Sequence, residues 1–484
     1  MTTPLPEGFV VRLNRNVRVR DGGRTLVGGA PTRVVTLSPT ARRLLADRTI
    51  RVRDRMSAVL ADRLLETGMA DPVVAELPGL DASQVTFVVP VRDRPAALDR
   101  LLTSIGDRNR VIVVDDCSHD RAAVAEVAAA HRAELVALPV NVGPAAARNE
   151  GLRRVTTPFV AFTDSDIVLE PGTVSILLRH FNDSRVAMAA PLVLALPDDR
   201  VARRPEGWVG RYEEARSSLA LGPDPGTVRP RAPVSWVPSA CLVARVDALE
   251  DGFSADMRVG EDVDLVWRLV ERGWRVRYEP GATVRHEHRT AVSDWLGRKA
   301  FYGTGAHLLA QRHGSDVAPA VLAPWSAGFA LALLAQRRWS LPVAAVIFAA
   351  AAARISAKVE GSDHPVRFAS SLTASGAAAA VWQTTGLLLR HWWPLAAVGC
   401  VFSRRMRRAV AAAAVLDTVG DYRRTRPRLD PVRFAIARRL DDAAYGYGVW
   451  YGAIKGRSPK ALLPDIRWTT VGRSGRSAST RTSS

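Results

Sequence analysis

Asp164-Ser165-Asp166 closely follows the apolar run Phe159-Val160-Ala161-Phe162. Two carboxylates one residue apart at the end of a buried strand can hold a hard divalent cation and still reach a ribose or a diphosphate. Mg2+ or Mn2+ uses few protein carboxylates and draws its remaining oxygens from substrate phosphates and water. Upstream, Asn141-Val142-Gly143-Pro144 reads as a loop that becomes the start of a helix carrying Arg148-Asn149. There Gly143 permits close backbone approach, and Arg148 offers a planar charged fork to phosphate. Asp115 and Asp116 end another apolar run and can accept hydrogen bonds from a nucleobase or ribose; one of them could equally cap the helix after Cys117-Ser118-His119. Downstream, Gly260-Glu261-Asp262-Val263-Asp264 begins an amphipathic helix with three acids in its first turn. Acids there complement the helix dipole, but three exceed what capping requires. Asp264 also stands four residues before Arg268, the spacing of a helical ion pair. His286, in the alternating stretch Val284-Arg285-His286-Glu287-His288-Arg289, is a candidate metal ligand.

These residues need a frame, and residues 84–315 supply one. Val85–Pro90, Val111–Asp116, Leu135–Leu138 and Phe159–Phe162 are short apolar runs, with helical segments such as Ala96–Ser104 and Ala122–His131 between them. Continuous apolar strands spaced by helices predict an α/β fold with a parallel, doubly wound sheet. Ligands of such sheets lie at the carboxyl ends of the strands. Pro90, Asp115, Asp116, Asp164 and Asp166 are all expected at such ends.

The flanks differ. Residues 1–80 carry short alternating runs, the turn Asp21-Gly22-Gly23, and helices starting near Ser38 and Asp54, an order that suggests a small winged-helix-like domain. Glu76-Leu77-Pro78-Gly79-Leu80 reads as a linker. From Ala318 the chain is rich in Ala, Leu and Trp, with uncharged stretches of 19, 15 and 22 residues at Ala318–Gln336, Trp339–Ala353 and Phe368–Leu389. About 17–25 apolar residues span a bilayer core, so membrane helices and a buried helical bundle are both open. The arginines at 404, 405, 407 and 408, and at 423, 424, 426 and 428, read as a surface facing the cytoplasmic side of a membrane.

Composition narrows the classes. The 484 residues, 47% of them hydrophobic and 24% charged, exclude a disordered or collagen-like chain. Cys117, Cys241 and Cys400 are isolated, which argues against a disulfide scaffold and for a reducing compartment. The start Met-Thr-Thr-Pro-Leu-Pro-Glu has no basic region followed by an apolar one, so no secretory signal is expected. A net charge of +19 would suit nucleic acid, an anionic membrane or an anionic substrate. No interleaved aromatic and basic pattern accompanies it, so nucleic acid is the weakest of the three.

As an ordered set, Val89-Pro90, Asp115-Asp116, Asn141-x-Gly143 through Arg148-Asn149, Asp164-x-Asp166, Gly260-Glu261-Asp262-x-Asp264-Leu265-x-Trp267-Arg268 and His286 resembles the inverting, nucleotide-sugar-dependent glycosyltransferases of family 2. The resemblance covers residues 84–315 and implies the glycosyltransferase A-type fold. It implies that Pro90, Asp115, Asp116 and Arg148 hold the uridine and diphosphate of the donor. It implies that Asp164 and Asp166 bind ribose and a divalent metal (Mn or Mg), that His286 completes the metal site, and that Asp262 is the general base with Glu261 beside it as a second catalytic acid. One departure matters: the chain has Trp295-Leu296-Gly297-Arg298-Lys299-Ala300-Phe301-Tyr302-Gly303 and no Gln-x-x-Arg-Trp, so processive synthesis of a long polymer is not expected.

Over nearly its full length the layout is similar to that of the mycofactocin-type glycosyltransferases. That likeness implies a peptide-recognition role for residues 1–80, catalysis in 84–315, and a helical, membrane-associated region over 318–484. It further implies transfer of glucose from UDP-glucose to a peptide-derived redox cofactor precursor, building a short β-linked oligoglucoside at the cytoplasmic face of the cell membrane. A lipid or cell-envelope polysaccharide acceptor is the competing enzymatic reading. A basic peptide- or nucleic-acid-binding protein without catalysis is the non-enzymatic one.

Overall fold

A computed structural model describes residues 4–196, 207–287, 291–358 and 363–467. It divides into two compact units, one of residues 1–317 with 418–461 and the other of residues 318–417 with 462–484.

In the first unit the N-terminal residues form six short strands: β1 (Val10–Leu13), β2 (Arg18–Arg20), β3 (Thr25–Gly28), β4 (Arg33–Thr36), β5 (Thr49–Arg51) and β6 (Ala70–Pro72). They pair as two antiparallel sheets, in the orders β5-β1-β6 and β2-β3-β4. The expected turn at Asp21–Gly23 joins β2 to β3, and its Gly22 and Gly23 take φ of 58° and 88°. The expected helices are Pro39–Leu44, capped by the Ser38 hydroxyl, and Arg55–Glu66, closed by a reciprocal cap between Asp54 and Ser57. The additional strands β5 and β6 have three residues each, too few for a period-two pattern to stand out.

Residues 76–80 do not detach this region from the rest of the unit. Arg277 is buried in an ion pair with Asp71, and Arg275 bonds Asp62 and Asp183, each at 2.6 Å. Removing one partner of a buried pair leaves a charge without compensation and costs about 3–5 kcal/mol. The N-terminal residues are therefore part of the first unit's fold.

The large sheet contains β7 (Val85–Val91), β8 (Arg110–Asp115), β9 (Glu134–Ala137), β10 (Phe159–Thr163), β11 (Ile167–Leu169), β12 (Val186–Ala195), β13 (Gly226–Val228), β14 (Cys241–Arg245) and β15 (Arg275–His286). Its order is β11-β15-β12-β14-β10-β7-β8-β9, with β13 added to β15. The four strands read from the sequence are present and mutually parallel, as β9-β8-β7-β10. Beyond β10 the expectation of a parallel sheet fails. β14 runs antiparallel to both β10 and β12, and β11 and β13 run antiparallel to β15. An apolar run reports burial on two faces, whereas strand direction depends on connections that the run does not encode. Pro90 lies one residue inside β7 rather than at its end.

Two apolar layers cover the sheet. Leu98, Leu101 and Leu102 of the helix Pro95–Ile105 pack on one face; Leu265, Val266 and Leu269 of the helix Glu261–Glu271 pack on the other. The helices Val292–His313 and Pro431–Lys455 touch backbone to backbone, since a Cβ on Gly448 or Gly303 would collide with the other helix.

The second unit contains the helices Pro324–Ala335, Ser340–Ser356, Pro365–Gly386 and Trp393–Phe402, and a two-residue parallel pairing of β16 (Val321–Leu322) with β17 (Asp465–Ile466). Ala330, Ala332, Ala344, Ala351, Ala369, Ala377 and Ala380 are buried, and the unit's apolar clusters set alanines such as Ala380 and Ala413 against Leu322, Leu387, Leu388 and Leu389. Among the described residues, no helix is long and apolar enough to cross a membrane. The 19-residue uncharged stretch yields a helix of 12, and Ala, Ser, Thr and Gly dilute the longer ones.

Candidate functional site

The site gathers at the carboxyl ends of β7, β8 and β10. Asp116, just past β8, accepts from the Val142 N–H at 2.7 Å and from the Gly143 N–H and Asn141 Nδ2 at 3.0 Å. It therefore fixes the Asn141–Gly143 loop, and Gly143 is required there by its φ of 88°. A Cβ at Gly143 would meet no other protein atom within 4 Å, so within the fold it is the positive φ, not crowding, that asks for glycine. Asp115 caps the following turn through the Ser118 N–H at 2.9 Å. Asp93, not singled out in the sequence, accepts from the His119 N–H at 2.7 Å, and its own N–H donates to the Ser118 hydroxyl at 2.9 Å. These bonds tie the loop after β7 to the loop after β8.

Arg148, on the helix Pro144–Leu152, is 2% exposed. Its Nη2 bonds Asp164 at 2.6 Å, its Nη1 bonds Glu261 at 3.1 Å, and its guanidinium lies 5.3 Å from the centre of the Phe253 ring. Burial works against its charge, but Asp164 and Glu261 outweigh that and hold its pKa above the ordinary value. The residue expected to face phosphate thus joins the two acidic motifs to each other. Glu261, expected as a second catalytic acid, is its partner.

His286 reaches Asp166 because β11 pairs with β15 in a register that sets Ile167 opposite His286. His286 Nε2 stands 3.5 Å from Asp166 Oδ1, while Arg94 Nη1 bonds Asp166 Oδ2 at 2.6 Å. Burial and the neighbouring Asp164 charge push the Asp166 carboxyl up, against the pull of His286 and Arg94. Among the described residues, no three His, Cys, Asp or Glu side chains form a ready-made metal cluster. Mn2+ or Mg2+ needs only one or two protein carboxylates, the rest of its oxygens coming from phosphates and water, and Asp166, with His286 beside it and the Asp164 charge nearby, can supply one. His288, in the same stretch as His286, lies outside the described residues.

Asp262 stands in the first turn of its helix, where Oδ1 accepts from the Val263 N–H at 2.8 Å and Oδ2 from the Ser239 N–H at 3.3 Å. Burial, and next the Glu261 charge, push it up to about 7. A carboxylate near neutrality is well matched to taking a proton at neutral pH. Asp264 forms the predicted pair with Arg268 at 2.9 Å and also bonds Ser254 and His313.

The helix Val292–His313 lies against this turn: a Cβ on Gly305 would stand 3.0 Å from the Val259 carbonyl, and one on Gly260 would stand 3.1 Å from Leu309. Tyr302, one turn before Gly305, has Arg298 at 5.7 Å from its ring. Burial pushes the Tyr302 phenol up to about 12; Arg298 opposes this, while the charges of Asp262 and Asp164 add to it. Tyr302 and Arg298 lie in the stretch Trp295–Gly303, from which the sequence singled out no site residue.

Residues 86–234 match the family model "Glycosyl transferase family 2", a span that includes β7, β8 and β10 but ends before Asp262 and His286. The whole chain is similar to the pre-mycofactocin glycosyltransferase of Mycobacterium tuberculosis, with 43% identity over 96% of this chain and 99% of that one. An N-acetylglucosaminyltransferase of Mesorhizobium japonicum is 28% identical over 41% of this chain and 50% of its own length. Of solved structures, a mannosyltransferase from Pyrobaculum calidifontis in complex with GDP-Man and Mn2+ is 21% identical over 71% of this chain and 91% of that one, with a TM-score of 0.36. The first likeness extends across Asp262 and His286, beyond the end of the family match, and with it the chain belongs to glycosyl transferase family 2 and is a glycosyltransferase.

Proposed function

We propose that the protein transfers glucose from UDP-glucose, with inversion, to a peptide-derived redox cofactor precursor in mycofactocin biosynthesis, building a short β-linked oligoglucoside. The observation that carries this reading is the 43% identity, along almost the whole of both chains, to a protein named for pre-mycofactocin glycosylation. Asp262 deprotonates the acceptor hydroxyl, which attacks the anomeric carbon from the side opposite the diphosphate. Asp164, Asp166 and His286 would hold a divalent cation, which when bound neutralises charge on the departing diphosphate. Arg148 keeps Asp164 and Glu261 aligned. Pro90, Asp115 and Asp116 shape the loops that receive the nucleoside, the two aspartates through the backbone bonds they accept.

Incubation with UDP-glucose, Mn2+ and the precursor should release UDP and give a product one hexose heavier, and a screen of other UDP-sugars should show slower release. A product with retained anomeric configuration would overturn the inverting mechanism. The competing reading is a lipid or polysaccharide acceptor. Mass spectrometry of cells lacking the protein separates the two, since loss of glycolipid with intact cofactor glycosides would favour the competitor. Because Arg275 and Arg277 need Asp62 and Asp71, the role of the N-terminal region in acceptor binding is better tested by substituting the exposed Arg33 and Val34 on β4 than by deletion.

We also propose that the second unit rests on an anionic membrane surface. Leu331, Leu341, Val346, Val401 and Phe402 are exposed, and the exposed arginines 404, 405, 407 and 408 follow directly. Apolar side chains beside basic ones suit an interfacial location. Carbonate extraction should release the protein; retention in the membrane pellet would require spanning segments instead.

A further inference from the structure

The two carboxylates of Asp164-x-Asp166 each have an arginine, and the two arginines differ in kind. Arg148 is buried, bonded to both Asp164 and Glu261, and set against the Phe253 ring. It has nowhere to go. Arg94 precedes the helix Pro95–Ile105, its side chain is 38% exposed, and it bonds Asp166 Oδ2 at 2.6 Å. A divalent cation held between Asp166 and His286 would use the other oxygen, Oδ1, so the cation and Arg94 would sit on the two oxygens of one carboxylate and repel one another.

We propose that Arg94 is the exchangeable counterion of Asp166, which yields the carboxylate to the divalent cation and then turns its guanidinium to the diphosphate of the donor. The inference rests on the reading that Asp164 and Asp166 hold the metal. Its chemistry is ordinary: the arginine is on the open side of the pair, 38% exposed against 17% for Asp166, so water can take it up when it leaves, and a planar guanidinium matches the oxygens of a diphosphate. No bond is made or broken in the exchange. Its consequence is a coupling, because the metal costs more to bind alone than with the nucleotide, whose phosphates give the displaced arginine a new partner. An arginine fixed by several partners, as Arg148 is, could not play this part.

The test uses the full-length protein and two probes, Mn2+ followed by electron paramagnetic resonance and UDP followed by calorimetry. Arg94→Met should bind Mn2+ about two- to fivefold more tightly in the absence of nucleotide, since a weak competing pair is gone. With Mn2+ saturating, the same variant should bind UDP roughly tenfold more weakly, the loss of one charge-assisted contact. Arg94→Lys should keep the wild-type Mn2+ affinity, because it keeps the competing charge. Unchanged or weakened Mn2+ binding in Arg94→Met would overturn the exchange, and unchanged UDP binding would overturn the move to the diphosphate. Failure of the underlying metal reading looks different: wild type and Asp166→Asn would then bind Mn2+ equally poorly.

Discussion

The helix Glu261–Glu271 has two carboxylates, one turn-neighbour apart, whose surroundings are opposite. Asp264 points to the rear of the site, where Arg268, Ser254, His313 and Arg312 converge on it. Burial alone would raise its pKa, but hydrogen bonds from His313, Ser254 and Arg268 hold it well below the usual carboxylate range. Asp262 accepts from the backbone N–H groups of Val263 and Ser239 and feels the charge of Arg148, but burial and the Glu261 charge prevail and push it up to about 7. Bonded cations make one carboxylate a structural anchor; the other, held by backbone N–H groups, is able to take a proton. The residue type is the same, and the partners decide the role.

The largest effect that would break this contrast is on turnover. Asp262→Asn should lower kcat by about 10²–10⁴-fold, the usual worth of a general base, with UDP affinity unchanged by calorimetry. Turnover within a few-fold of wild type would remove Asp262 from that role. Asp264→Asn should act on folding instead, losing about 3–5 kcal/mol in urea denaturation because Arg268 and Arg312 lose their shared counter-charge. If Asp264→Asn were as stable as wild type but inactive, the two roles would be exchanged.

A finer test sharpens the cause of the raised pKa. The acidic limb of kcat/KM should fall near pH 7, with activity rising as Asp262 ionises. Glu261→Gln removes the charge that disfavours the ionised form, so the limb should move to lower pH. The shift should be below tenfold in rate at any pH, because burial, the larger cause, remains. A limb that moves to higher pH would mean that the freed Arg148 no longer supports the site.

The strands that carry the site were legible because each is a run of buried apolar residues, and Asp164-x-Asp166 and the acidic helix start were legible because the spacing is local. Asp264 with Arg268 came from a four-residue interval. What the sequence did not disclose is pairing across distance. Arg94 meets Asp166 across 72 positions and Arg148 meets Glu261 across 113, and no local rule selects these arginines from 67 basic residues. The reversed strands β14, β11 and β13 escaped for a related reason, since strand direction is set by connections. Asp115 and Asp116 were expected to meet a nucleoside; the partners seen in the fold are loop backbone, and only the fold shows which loop.

The smallest effect concerns the rear face. Burial lowers His313, but hydrogen bonds from it to Asp264 and Glu271 prevail and raise its pKa. A group raised on folding contributes stability that is fully present below its unfolded value, about 6.5, and lost as pH rises through the folded value. Asp264, lowered on folding, contributes stability present above about 3.9 that disappears only in stronger acid. Between these windows the pair is at its strongest, so the urea midpoint of the wild type should be highest in mild acid and decline as the medium becomes alkaline. His313→Gln keeps a neutral donor near Asp264 and should flatten that decline while leaving the acidic limb of kcat/KM where it was. If the variant instead moved that limb, the charge on His313 would be felt at Asp262, and the two faces of the helix would not be electrically separate.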